Sequence, residues 1–175
     1  MKIAWIAAAL LALSASLAEP ANSVKVTLAW EHKDFAETVE VHELKGQPRL
    51  WETKNVKSPA QAPIGDKIGN SSFVLEPGQA KRLALVVKNG SAGPLFFFAA
   101  PHAVHPAEHS LGFRFKCLCI NHAFSVGPGE TWYRIVEFRL SKEFVGRELT
   151  VTHTIIGIDK ARADAFSSKS VIPDF

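Results

Sequence analysis

Two cysteines stand two positions apart, Cys117 and Cys119, in the segment Leu111-Gly-Phe-Arg-Phe-Lys-Cys-Leu-Cys-Ile120. Side chains alternate faces along a strand, so Leu111, Phe113, Phe115, Cys117 and Cys119 share one face. Gly112, Arg114, Lys116, Leu118 and Ile120 share the other, where the polar pattern fails at the end. The strand is therefore covered on both sides there, or it bends. Same-face neighbours lie about 6.6 Å apart along a strand, whereas a disulfide wants its Cβ atoms near about 3.8 Å. A disulfide between these two would be strained and easily reduced. Two thiolates on one face can instead converge on a soft ion, and thiolates select Cu(I), zinc and iron–sulfur clusters. Zinc usually wants four ligands, and a second cysteine pair is missing. Cu(I), which accepts two or three, fits the inventory best. The alternative is a pair of small core residues, although an exported protein usually avoids unpaired thiols.

Four of the seven histidines flank this pair: His102, His105 and His109 before it, His122 after it. Imidazole is a common copper ligand. A loop carrying the first three can fold over Cys117, and His122 is close enough to reach the same place. Each is equally well placed to be a solvated loop residue. His32, His42 and His153 lie on or beside other predicted strands and receive no role. A different grouping gives a different protein. Pro101-His102-Ala103-Val104 and Cys119-Ile-Asn-His122 resemble the two ligand segments of blue-copper electron carriers. His102, Cys119 and His122 would then form a cupredoxin-like His₂Cys site. Its usual axial methionine is missing, because the chain has a single methionine, Met1. A third reading is a metal-free sandwich that binds a protein partner. An enzyme is not expected: there is no nucleophile elbow, His-Glu-x-x-His or paired-carboxylate signature.

The elements that must position these residues read as all-β. The chain has 175 residues, 47% of them apolar, with 20 Lys+Arg against 17 Asp+Glu for a net charge of +3. That suits one globular domain. It excludes a disulfide scaffold, a polytopic membrane protein and a nucleic-acid footprint. Residues 1–18 read as an export signal: Lys2, an uncharged run from Ile3 to Ala18, and small residues before Glu19-Pro20. The run is 16 residues, short of the roughly 20 that span hydrocarbon, so an uncleaved anchor is disfavoured. The expected location is the periplasm, if the source is a Gram-negative bacterium. Strands are predicted at Val24–Trp30, Thr38–His42, Arg82–Lys88, Leu95–Ala100, Leu111–Ile120, Thr131–Leu140 and Leu149–Ile158, with turns at Pro77-Gly78, Asn89-Gly90 and Pro128-Gly129. About seven strands of this kind suggest an antiparallel sandwich over residues 19–160. Residues 45–72 read as a long ordered loop, and 161–175 as a polar, loosely held tail.

From Val74 to Ile158 the order of features resembles the Cox11/CtaG family of copper chaperones for cytochrome c oxidase assembly. Asn89 matches that family's turn, Val104-His105-Pro106 its Val-x-Pro element, Phe115, Cys117 and Cys119 its cysteine strand, and Pro128-Gly129-Glu130 its second turn. Leu118 and Ile120 replace two of its phenylalanines, and the four flanking histidines are additions to its motif. The resemblance implies an immunoglobulin-like sandwich that holds Cu(I) on Cys117 and Cys119 and delivers it to a cuproenzyme, such as the CuB site of the oxidase. The implied partner is that acceptor, which can be membrane-bound; oxidation of the thiols would block binding, so a thiol reductant is also expected, with a second copy in a homodimer a further candidate and no nucleic acid. The family's membrane tether is replaced here by the cleavable signal.

Overall fold

Val24, Val26 and Leu28 are buried along the first strand while Lys25 between them is exposed, the alternation of a sheet with one face on a core. The structure, a computed structural model, describes residues 22–118 and 122–169. The expected export signal and Cys119 lie outside the described residues. Within them run twelve strands: β1 (Val24–Lys33), β2 (Val39–Leu44), β3 (Thr53–Val56), β4 (Ile64–Lys67), β5 (Ser72–Leu75), β6 (Ala80–Lys88), β7 (Leu95–Ala99), β8 (Ala103–His105), β9 (Phe113–Lys116), β10 (Phe124–Val126), β11 (Thr131–Leu140) and β12 (Glu148–Gly157). One helix, α1 (Lys160–Lys169), follows.

Two sheets form a sandwich, as the all-β reading expects. One has the order β10-β7-β12-β1-β5, with β8 also on β12; the other has β3-β11-β6-β2-β4, with β9 also on β11. Between them lie Leu28, Leu85, Phe97, Trp132, Phe138 and Leu149, all 2% exposed or less. A smaller apolar cluster of Ala62, Ile64, Ala84, Val86, Tyr133 and Ile135 covers the outer side of the second sheet.

Four expectations are corrected. Strands number twelve rather than about seven, because β3, β4, β5, β8 and β10 are only three or four residues long and lack a sustained alternation. The stretch 45–72 is not one long loop: β3 and β4 lie in it and join the edges of the second sheet. The tail is not loose over 161–169, and 170–175 lie outside the described residues. Residues Lys160–Lys169 are helical, Ala163 is buried, and Phe166 packs on Phe98 at 5.0 Å between ring centres. The sandwich is also not wholly antiparallel. β1 and β12 pair in parallel from Lys25 opposite Glu148 to Lys33 opposite Ile156. They are the first and last strands, so the whole domain serves as the long connection a parallel pair needs.

The Asn89 turn, read correctly as a turn, is also a clamp. Its buried side-chain amide donates to the carbonyls of Gly93, Val126 and Gly127 at 2.8, 2.9 and 3.1 Å. Its Oδ1 accepts from the backbone N and hydroxyl of Ser91. One residue thus ties the β6–β7 connection to the end of β10.

Candidate metal centre

Three segments bring three candidate ligands together. On β9 the inward row is Phe113, Phe115 and then Cys117 just past the strand, as the alternation predicts; Cys117 is 5% exposed. The failure of alternation at Leu118 is a bend. Cys117 and Leu118 follow the last paired residue, Lys116, and both are buried. On β12 the inward row is Leu149, Val151, His153 and Ile155, each 0% exposed, so an imidazole stands where the pattern calls for a branched aliphatic.

His102 arrives by a bulge. β7 and β8 are one interrupted strand along β12: Ala99 faces Ile155 and Ala103 faces Thr152. Two residues of β12 therefore oppose three on the other side, Ala100, Pro101 and His102. Ala100 still donates to Thr154 O at 2.9 Å, whereas Pro101 has no N–H to give. The inward row of β7, Phe97 and Ala99, resumes out of phase at Val104, which packs on the core. Continuing that register sets His102 opposite His153, and their rings are 5.3 Å apart.

The thiol of Cys117 and Nε2 of His153 share a buried hydrogen bond of 3.0 Å. One ligand atom from each of His102, Cys117 and His153 lies within 4.8 Å of the others, a group able to hold a metal ion. Sulfur and nitrogen bind a zinc-sized ion at about 2.3 and 2.0 Å, so two donors on one ion stand at most about 4.3 Å apart. The widest pair in the group stands no more than about half an ångström beyond that limit, by the same lengths. Cys117 and His153 are buried, and His102 is partly exposed. Aromatic rings wall the site: Trp30 lies 5.3 Å from His153, Phe115 meets His153 edge-on at 5.5 Å, and Phe113 lies 5.7 Å from His102. Among the described residues, Nδ1 of His153 and Nε1 of Trp30 are buried without a hydrogen-bond partner. An unpaired buried polar atom costs about 1–3 kcal/mol. A ring with one nitrogen on a thiol and the other unsatisfied is a poor choice for core packing alone. One soft sulfur and two imidazoles are a donor set that suits copper or zinc.

The other histidines go elsewhere. His105 is exposed on β8, His109 packs on Phe144 at 4.6 Å, and His122 stands edge-on to Phe124 at 5.3 Å; none belongs to the group. His42 is a network residue, bonded to Gly65 O and Glu40 Oε2. Cys119 lies outside the described residues. The candidate ligand that sequence reasoning passed over is His153. Its signal was the alternation Leu149-Thr-Val-Thr-His-Thr-Ile155, which puts that histidine alone among aliphatic neighbours.

The profile of a domain of unknown function, DUF8709, matches residues 24–158. The chain belongs to that family. No curated protein matches it. The DUF8709 domain takes in every strand from β1 to β12 and all three candidate ligands.

Proposed function

We propose that this DUF8709 chain is an exported copper carrier that holds Cu(I) and delivers it to a cuproenzyme. The supporting observation is the convergence of His102, Cys117 and His153 within 4.8 Å. The thiolate selects Cu(I), and two imidazoles complete a low-coordinate set. Cys119, two residues further on, supplies a second thiolate by sequence, and the likeness of the cysteine strand to Cox11/CtaG chaperones supports carriage rather than catalysis. The acceptor can be an oxidase, and the place of exchange the periplasm.

One observation favours a second reading. Two imidazoles and one thiolate are also the donor set of blue-copper electron carriers. The two readings separate by colour: intense visible absorption with Cu(II) supports electron transfer, and a colourless Cu(I) complex supports carriage.

The deciding experiment is anaerobic titration of the reduced chain with Cu(I) against a competing chelator, with X-ray absorption to read the ligands. One tightly held Cu(I) with mixed sulfur and nitrogen ligation is expected, and Cys117→Ser should abolish it. Failure to hold copper against the chelator would leave a metal-free binding module.

A further inference from the structure

The three ligands are not equivalent. Cys117 is 5% exposed and His153 is 0% exposed, on a strand central to its sheet, and the two are already bonded to each other at 3.0 Å. His102 is the partly exposed member, and it sits where the β7–β8 strand is broken by Pro101. Pro101 and Ala103 on either side of it are exposed. The backbone at a bulge is not fixed by a full ladder, so it is the part of the site that can yield with the least loss of hydrogen bonding. His153, by contrast, lies in a strand paired on both sides: with β1 from Glu148 to Ile156, and with β8 and β7 on the other edge.

Resting on the copper reading above, we propose that His102 is the exchangeable ligand, and that copper enters and leaves across the Ala100–His102 bulge while Cys117 and His153 anchor it. The acceptor chemistry follows: it presents one soft or borderline donor, a thiolate or an imidazole, to this bulge. The copper–Nε or copper–Nδ bond of His102 breaks as the acceptor's donor bonds the ion. The bonds to His153 and Cys117 break next, as further acceptor donors replace them. Copper stays Cu(I) throughout, so no electron moves. An acceptor thiol that becomes a ligand releases one proton, and Cys117 takes one up to restore its bond with His153. Removing a buried anchor and removing the outer ligand should therefore act differently. The first destroys the complex, and the second opens a coordination position to the incoming donor.

The test loads the full chain with Cu(I) and follows its transfer to the copper-selective chelator bathocuproine disulfonate by stopped flow. His102→Ala should keep one Cu(I) per chain but lose it faster, by roughly 10-fold or more, since even ligand-supporting contacts are worth 10–100-fold. The rate should rise with chelator concentration. His102→Cys, which places a thiolate on the bulge, should slow transfer below that of the parent chain. His153→Ala should not retain stoichiometric copper. His102 is partly exposed, so its variants test exchange without opening the core; melting of the metal-free proteins checks this. If the parent chain holds no Cu(I), the copper reading fails. If it holds Cu(I) but His102→Ala releases it at the parent rate, or His102 and His153 variants accelerate release equally, the copper reading stands and the exchange role of His102 is overturned.

Discussion

His153 is where fold and function pull in opposite directions. As a core residue it is poorly chosen: 0% exposed, flanked on its face by Val151 and Ile155, with Nδ1 lacking a partner among the described residues. Replacing a partly satisfied buried polar group by an apolar side chain of similar size is often neutral or stabilising, provided its partner is not stranded. The partner here is a thiol, which tolerates apolar surroundings. His153→Leu is therefore expected to leave metal-free stability within about 1 kcal/mol of the parent in urea unfolding, or to raise it. The same variant should no longer hold Cu(I). A histidine kept only for packing would show the reverse, a marked loss of stability with copper binding intact. The placement of Cys117 was legible in the sequence, since period-two alternation put it inward with Phe113 and Phe115. His102 and His105 could not be told apart that way. Alternation from Ala99 points His105 inward, and the extra residue at the bulge reverses the choice. His153 was visible on an apolar row, but a single histidine at such a position carries no partner's address. The partners come from residues 36 and 51 positions away, and only the pairing of strands supplies them.

At the scale of elements, the strands that read clearly were those with long alternation or dense β-branching. β11 is observed over Thr131–Leu140, the span its sequence predicts. Two of the strands missed, β3 (Thr-Lys-Asn-Val) and β4 (Ile-Gly-Asp-Lys), have too little apolar content to declare themselves. They exist because β11 and β2 offer edges to pair with and the cluster around Tyr133 and Ile135 needs cover. Tyr133 is held within this cover. Burial first, then its hydrogen bond to Glu52, raise its pKa well above the usual phenol value. The Asn89 turn shows how one side chain can decide the meeting of two connections. Asn89→Ala would take from the carbonyl of Val126 the buried amide it now accepts from, while Gly127 O keeps its bond from Glu130 N. Hydrogen bonds net about 0.5–1.5 kcal/mol each, and a stranded buried acceptor costs about 1–3 kcal/mol. The variant should lose roughly 2–4 kcal/mol by the same arithmetic, or on the order of 5–15 °C in Tm for a domain of this size. Thermal melting by circular dichroism reads it directly; a shift under 2 °C, on that scale, would mean the clamp carries little. The metal group lies elsewhere on the sandwich, so copper stoichiometry should survive below the transition.

Across the whole molecule, β2, β4 and β6 are laced together on the outside of the second sheet by one carboxylate. Glu40 bonds Lys67 at 2.8 Å, Lys88 at 2.9 Å and His42 at 3.1 Å. Burial by itself raises its pKa, but the hydrogen bonds from Lys67, Lys88 and His42 outweigh it and bring it down to about 2 from 4.5. A carboxylate whose folded pKa is depressed binds its proton more readily when unfolded. Its contribution to stability is therefore complete above the unfolded value of 4.5 and fades as pH falls through about 2. The side chain is 17% exposed, so solvent screens part of the interaction and its worth is on the order of 2 kcal/mol. Glu40→Gln removes the ionisation while keeping the shape. The variant should be less stable than the parent at neutral pH, and the gap should close as both are titrated from pH 4.5 toward 2. Urea midpoints measured at intervals across that range test this. A gap that persists unchanged at pH 2 would show that Glu40 acts by packing and neutral hydrogen bonding, with no part for its charge. The network lies on the outer face of the second sheet, whereas His102 and His153 belong to the first, so Glu40→Gln should bind Cu(I) like the parent at neutral pH. That separation gives the copper experiments an internal control: a variant comparably destabilised, far from the ligands, whose metal affinity does not move.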